Sequence, residues 1–167
     1  MNSSASVIKL SAANWSCSTT ALSPFGNGVP DHAVSAFPNA SNPNTISAQA
    51  VAASFTLTPT ATSTATTLGG PLCATGYILN DVKMDADTNG TCNDAGSNCD
   101  LGAEGTGSWR VEALGPSSFS FGTDSNNAHV QPDSVYHCHG MPAGLVTEQN
   151  KGQALTLIGW AGDGFLI

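Results

Sequence analysis

Three of the chain's four histidines, His129, His137 and His139, lie close together, and the last two flank Cys138 in the stretch YHCHG. In a β-strand, side chains alternate between the two faces, so His137 and His139 would share one face, about 6.5–7 Å apart along the backbone. Imidazoles at that spacing can converge on one metal ion. Tyr136 and Cys138 would point to the other face. The pattern therefore predicts a histidine site that excludes the cysteine.

The loop before this strand decides which face His129 takes. It begins with a proline, which suits the second position of a type I turn. With a three-residue loop, Pro132–Ser134, His129 faces His137 and all three histidines line one face. With a two-residue loop, Pro132–Asp133, the register slips and His129 joins the face of Cys138. Both registers stay open, because a three-residue loop favours glycine at its third position, where this chain has serine.

Neutral imidazole is a good ligand for zinc, copper, nickel and iron. The histidine stretch therefore predicts a transition-metal site, with zinc or copper as the cofactor. A carboxylate such as Asp124 or Asp163 would complete the ligand shell or orient a ring. The alternative is a hydrogen-bonded cluster of histidine, tyrosine and asparagine that stiffens the fold.

A second candidate site is the acidic stretch DADTNGTCND. Asp85, Asp87 and Asn89 stand at alternate positions before a glycine, as in the first half of an EF-hand calcium loop. The bidentate glutamate of that loop is missing, because Gly96 stands at its twelfth position. The stretch is predicted to be either a Ca²⁺ site or a solvated turn.

Composition excludes several classes of partner and cofactor. The formal net charge is −8 and only 10% of the residues are charged, against roughly 25% in a typical globular domain. A nucleic-acid-binding protein needs a basic surface, which this sequence lacks. No apolar run reaches the roughly 18 residues of a membrane span. The sequence has no phosphate-binding loop and no nucleophile motif, so we predict no organic cofactor and leave enzymatic activity open.

Short runs of β-branched and aromatic residues, separated by turn residues, predict an all-β fold. We expect one β-rich domain over residues 1–167, with long ordered loops and short strands and hairpins in a sandwich- or barrel-like arrangement. The proline-rich segment 24–43 is predicted to be a loop. The predicted strands are Ser6–Leu10, Ser54–Pro59, Gly76–Leu79, Val82–Met84, Trp109–Ala113, Val135–His139 and Ala154–Trp160.

Two segments repeat one pattern. GYILNDVKM begins at Gly76 and GWAGDGFLI begins at Gly159. Both have an aromatic residue after the glycine and a two-residue turn signal, Asn-Asp or Asp-Gly, in the middle. They are predicted to be hairpins, either related by pseudo-symmetry or alike by coincidence.

The chain has five cysteines. A disulfide between Cys92 and Cys99 would hold a loop that has no apolar pattern of its own. The odd count leaves at least one thiol without a partner in the chain, and Cys138 is the candidate. Low charge with many hydroxyl and amide side chains is typical of a secreted or cell-surface β-rich protein. Since the start of the sequence lacks a signal peptide, an exported chain would have its signal removed or outside this sequence.

Several stretches together resemble the YHYH-domain proteins, which are mainly exported bacterial proteins of poorly defined function. The stretches occur in the family's order and span most of residues 26–167. They are GNGVPDH (Gly26–His32), FPNASNPNTISAQ (Phe37–Gln49), GYILNDVKMD (Gly76–Asp85), WRVEAL (Trp109–Leu114), DSNNAHVQPDSVYHCHGMP (Asp124–Pro142) and LIGWAGDGF (Leu157–Phe165).

The family motif falls on residues 136–139, with Cys138 in place of the second tyrosine. The resemblance also adds His32 to the candidate ligands. Because family members usually continue well past the last matching segment, it implies that the chain is incomplete at its C-terminus.

These observations lead to three functional hypotheses. The first is an exported metal-binding module that uses His129, His137 and His139, with His32 or Asp124 nearby. The second is a surface or filament subunit that self-associates when a neighbouring chain pairs with its last strand. The third, a metal-assisted hydrolase, needs an open coordination position and a general base.

Overall fold

A computed structural model of the chain describes residues 10–65, 74–85, 90–93, 99–100, 109–115 and 120–167. These residues form three β-sheets and one short helix, and in this part of the chain no sheet closes into a barrel. The all-β, sandwich-like prediction is confirmed. The predicted strand Ser6–Leu10 lies outside the described residues except for Leu10, which is not in a strand.

The first sheet has four strands, with β2 at its centre. Strand β2 pairs antiparallel with β1 on one side and with both β3 and β4 on the other. The predicted loop 24–43 begins too early, because β2 continues through Pro24 and places it opposite Trp15. The strands are β1 (Ala13–Cys17), β2 (Ala21–Gly26), β3 (Val51–Ala52) and β4 (Phe55–Thr56).

The second sheet has five strands in the order β10-β11-β6-β5-β12. All its pairings are antiparallel except that between β11 and β6, which is parallel. The two segments with the repeated pattern form hairpins as predicted, and they lie side by side because β12 pairs with β5. The strands are β5 (Ala74–Ile78), β6 (Lys83–Asp85), β10 (Ala128–Val130), β11 (Tyr136–Cys138) and β12 (Gly159–Ala161).

A small third sheet contains β7 (Thr91–Cys92), β8 (Cys99–Asp100) and β9 (Trp109–Arg110). Its order is β8-β7-β9, and Cys92 lies opposite Cys99 in the pairing of β7 with β8. The disulfide between these two cysteines stays a prediction. Cys138 is a free, buried thiol, as predicted, and Cys17 is free and exposed.

The helix α1 (Ala143–Gln149) was not predicted. It has only seven residues, too few for the apolar periodicity by which a helix is recognised from sequence. It begins after Pro142 and ends at Asn150, whose left-handed backbone closes the last turn. Leu145 is its buried residue and joins the main core.

The two faces of the second sheet have different surroundings. One face belongs to the main hydrophobic core, which also includes side chains from the loop after β2 and from α1; its buried members are Val29, Val34, Ile46, Ile78, Val82, Ala128, Val130, Tyr136, Cys138 and Leu145. On the other face, aromatic side chains join the first sheet to the second. Trp15 contacts Trp160, and its indole N–H donates to the Leu79 carbonyl at 2.8 Å.

Candidate metal centre

The hairpin of β10 and β11 has the three-residue loop. His129 lies opposite His137, and the Gln131 amide donates to the Val135 carbonyl at 2.9 Å. The loop Pro132–Ser134 closes through a bond of 2.9 Å from the Ser134 amide to the Gln131 carbonyl. Ser134 takes the left-handed conformation, with φ of 71°, although it is not glycine. Of the two registers that the sequence left open, the structure has the one that brings the three histidines to one face.

The three imidazoles converge through their Nε2 atoms. Nε2 of His139 lies 2.8 Å from Nε2 of His137 and 3.2 Å from Nε2 of His129. One nitrogen from each ring lies within 4.8 Å of the other two. An ion bound to three imidazoles at the usual 2.0–2.1 Å holds its nitrogens about 2.9–3.4 Å apart, depending on its geometry. The cluster is therefore already close to the size of a metal site.

The outer nitrogens of two rings are held by backbone carbonyls. Nδ1 of His129 lies 2.9 Å from the Phe121 carbonyl, and Nδ1 of His137 lies 3.3 Å from the Val135 carbonyl. A carbonyl only accepts, so both rings carry a proton on Nδ1. In the neutral state their Nε2 atoms are then bare lone pairs that point into the cluster. Carbonyl bonds of this kind orient histidine ligands in many metal sites.

Burial keeps the three rings neutral. It lowers the pKa of His129, lowers that of His137 well below its usual value, and lowers that of His139 to about 4. The neighbouring imidazoles and the ammonium of Lys83 lower the pKa values of His137 and His139 further. Metal binding requires neutral imidazole. At neutral pH the rings can therefore bind an ion without first releasing a proton.

The opposite face of the same hairpin holds a second polar cluster, which includes two of the predicted ligands, Asp124 and His32. The hydroxyl of Tyr136 donates to Asp124 Oδ2 at 2.9 Å, and the backbone amide of Asn126 donates to Asp124 Oδ1 at 2.8 Å. The ring of His32 packs beside that of Tyr136, with centroids 6.4 Å apart. The structure therefore places Asp124 and His32 away from the three histidines, in contact with the core. Cys138 is also buried on this face, as predicted.

The other carboxylates that the sequence predicts as metal ligands do not lie together. Asp163 lies in the turn after β12, where it accepts from the Phe165 amide, three strands away from β11. Of the candidate calcium loop, Asp87 and Asn89 fall outside the described residues. Asp85 is the last residue of β6, and its carboxylate lies beside the histidines.

Cross-strand pairing explains how β6 reaches the site. Residues that face each other on neighbouring strands share a face, and a row of such pairs runs across the sheet through Tyr77, Lys83, His137 and His129. Asp85 lies two residues after Lys83 and so points to the same face.

Two β6 side chains and Gln131 form a linked polar group next to His137. Nζ of Lys83 lies 2.8 Å from Asp85 Oδ2 and 2.9 Å from Gln131 Oε1, and Gln131 Nε2 donates to Asp85 Oδ2 at 3.3 Å. Burial raises the pKa of Asp85, while Lys83 opposes that rise. Sequence reasoning missed Lys83 and Gln131. The signal available was the alternation of polar and apolar residues from Val82 to Asp85, which puts the two charges on one face.

The comparisons with known proteins identify one family. The family model described as "YHYH protein" matches residues 52–167, which include all three histidines of the cluster and Asp85. The segments around Gly26–His32 and Phe37–Gln49 lie outside the matched residues. No curated protein and no solved structure matches the chain. Among the described residues, no helix has the length and apolarity needed to cross a bilayer. The chain belongs to the YHYH protein family.

Proposed function

We propose that the chain is a metal-binding module whose ligands are the Nε2 atoms of His129, His137 and His139. The proposal rests on one observation: two buried imidazoles and one half-buried imidazole, all neutral, point their inner nitrogens at one another, while two of the rings use their outer N–H groups on backbone carbonyls. Such an arrangement has three convergent donors of the kind that zinc, copper and related ions prefer.

The alternative, a purely hydrogen-bonded cluster, leaves one contact unsatisfied. The outer bonds fix the protons of His129 and His137 on Nδ1, so only His139 has a proton to place on an inner nitrogen. That proton can bridge either the 2.8 Å contact with His137 or the 3.2 Å contact with His129. The other contact then brings two nitrogens together without a proton. A bound cation accepts all the inner lone pairs and removes this conflict.

The test is Zn²⁺ binding to the purified chain, measured by calorimetry and by metal content after dialysis. We expect one Zn²⁺ per chain, and at least about a hundredfold weaker binding for His139→Ala, since a ligand is lost. His32→Ala is the matched control, because it removes a buried histidine from the opposite face and should keep the metal. Equal, sub-stoichiometric zinc in all three proteins would show that the cluster is structural.

We further propose that the module works outside the cytoplasm, as a secreted or cell-surface domain that includes the whole of residues 1–167. The low content of charged residues and the family resemblance support this location. The shared core supports a single domain, because Val29 and Val34 pack with residues of the second sheet. The Cys92–Cys99 disulfide belongs to the same proposal. Alkylation of the native protein before and after reduction checks it, and equal labelling would count against it.

A second candidate function is a structural subunit that self-associates at its C-terminal strand. The last residues pair with β12 through the Trp160–Leu166 bridge. Leu166 is 68% exposed, and Phe165 is also exposed. An exposed apolar edge of this kind invites pairing with another chain. Light scattering of the wild type should rise with protein concentration, and Leu166→Lys should abolish this rise. Leu155→Lys is the control and should not abolish it, because the exposed apolar side chain of Leu155 lies outside any strand. A chain that stays monomeric at high concentration would end this idea.

A further inference from the structure

The carboxylate of Asp85 lies against the histidine cluster with one oxygen unused. Its Oδ2 accepts from Lys83 and Gln131 and lies 3.9 Å from Nε2 of His137. Its Oδ1 is buried and has no hydrogen-bond partner among the described residues. A buried carboxylate oxygen without a donor is costly, by about 1–3 kcal/mol or more. A buried carboxylate with an unpaired oxygen, 3.9 Å from one of three convergent nitrogens, has the chemistry of a missing ligand contact.

The strand register holds this carboxylate in place. The parallel pairing of β11 with β6 sets His137 beside Lys83 and Cys138 beside Met84. One step further in the same register, Asp85 comes alongside His139. The side chain of Asp85 is fully buried, with 0% exposure, so water does not solvate the charge of the carboxylate.

Charge balance gives the carboxylate a reason to bind. Three neutral imidazoles leave a divalent ion with its full charge in a desolvated site, where an uncompensated charge is strongly disfavoured. Asp85 is a carboxylate that the structure places on this face, 3.9 Å from Nε2 of His137. Lys83 is its present counter-charge, and Lys83 retains a second acceptor in Gln131 and some exposure to solvent, 13% of its side chain. The ammonium can therefore give up the carboxylate while keeping a hydrogen bond.

We propose, building on the metal-binding function above, that Asp85 is the fourth ligand and that Lys83 is the counter-charge of its carboxylate until the ion binds. The ligand set is then three imidazole nitrogens and one carboxylate oxygen, with no sulfur, because Cys138 lies on the other face. Nitrogen and oxygen donors of this kind favour divalent ions such as Zn²⁺, Co²⁺ and Ni²⁺ over Cu⁺, which prefers thiolate and thioether.

The experiment titrates Co²⁺ into the wild type, Asp85→Asn and Lys83→Met, and follows both affinity and the visible d–d absorption of the bound ion. For Asp85→Asn we expect about a tenfold to hundredfold loss of affinity and a changed absorption spectrum. For Lys83→Met we expect equal or tighter binding, since the competing cation is gone. If the pair were only structural, both variants would lose stability and neither would change the spectrum.

Two results would overturn the proposal in distinguishable ways. Co²⁺ binding by Asp85→Asn with the affinity and spectrum of the wild type would remove Asp85 from the ligand set and leave the three-histidine site intact. A wild type that binds neither Co²⁺ nor Zn²⁺ would remove the metal site itself. Thermal melting in a chelator, run on all three proteins, checks that each is folded. Should Asp85→Asn fail to fold, Lys83→Met still decides: weaker binding by this variant would contradict the proposed competition.

Discussion

The two faces of the β10–β11 hairpin both carry buried polar side chains, but their hydrogen bonds are completed to different degrees. On one face, the oxygens of Asp124 each accept from at least one donor, including the Tyr136 hydroxyl and the Asn126 amide. On the other face, the histidines share one inner proton among three nitrogens, and Asp85 Oδ1 has no described partner. The network around the Asp124 carboxylate is completed and holds the fold together, although Nε2 of the adjacent His32 has no described partner. The network around the histidines has donor atoms left for a ligand. The same strands thus support a structural cluster and the proposed binding cluster.

The largest effect should come from breaking the completed network. Asp124→Ala leaves the Tyr136 hydroxyl and three backbone amides without this acceptor, so we expect it to lower the free energy of unfolding by about 3 kcal/mol or more. Tyr136→Phe removes two hydrogen bonds, one donated to Asp124 and one accepted from Asn126 Nδ2, and should cost about 1–2 kcal/mol. Chemical denaturation measures both changes. Zn²⁺ affinity of the folded variants should stay the same; a large loss of affinity would mean that the two faces are not independent.

The next effect is stabilisation by the metal. A ligand at a hundred times its dissociation constant adds about 2.7 kcal/mol to the free energy of unfolding. We expect this gain for the wild type with Zn²⁺ and for Tyr136→Phe, but not for His139→Ala. Denaturation with and without Zn²⁺ gives the values. Equal stabilisation of His139→Ala would show that the ion binds elsewhere.

A smaller effect should appear with pH in the metal-free protein. The folded pKa of His139 is about 4, below an unfolded value of about 6.5, so the unfolded chain binds more protons in between. The contribution of His139 to the free energy of unfolding is therefore fully present above about pH 6.5, and it should be lost as the pH drops toward 4. Asp81 has the opposite sign, because burial raises its folded pKa to about 6 and acid then favours the folded state.

Two variants separate these contributions. Stability measured from pH 8 to pH 4 should fall less with acid in His139→Gln and more steeply in Asp81→Asn, each compared with the wild type. Asparagine tolerates the left-handed backbone at position 81, where φ is 59°. If both variants followed the wild-type profile, other groups would control the acid response.

The smallest effect concerns the loop that sets the register. Ser134→Gly relieves a left-handed serine but adds freedom to the unfolded chain, so the net gain should be under about 1 kcal/mol. Zn²⁺ affinity should not change, because the pairing of His129 with His137 is already formed. Val135→Gly is the control, and it should lower the free energy of unfolding. A loss of zinc affinity in Ser134→Gly would indicate that the strained loop is needed to hold the ligands.

The sequence predicted the local part of the site well. Alternation along a strand put His137 and His139 on one face and Cys138 on the other, and both statements hold. The position of His129 depended on a loop whose two forms differ by one residue. Ser134 is a poor guide to the choice, since the left-handed conformation is more usual for glycine, and the energy that decides between the registers comes from the packing of the whole hairpin.

The distant part of the site was not predictable in the same way. The acidic pattern predicts either a Ca²⁺ site or a solvated turn for Asp85, and it gives no sign that a parallel pairing with β11 brings this residue to the histidines. Such a pairing joins segments that lie far apart in the chain and leaves no local periodicity. The helix α1 and the strands β1 and β2 were missed for related reasons: each is short, and their apolar residues find partners only in the assembled core.

The loop Pro132–Ser134 has a consequence for how the site can be moved or changed. It fixes three imidazoles within one continuous segment, residues 129–139, so these nitrogen atoms can be grafted as a unit onto another antiparallel sheet. The carboxylate arrives from a separate strand and can be substituted independently. With the proposed ligand set, design and divergence can therefore alter the choice of ion at position 85 while the imidazole cluster is inherited unchanged.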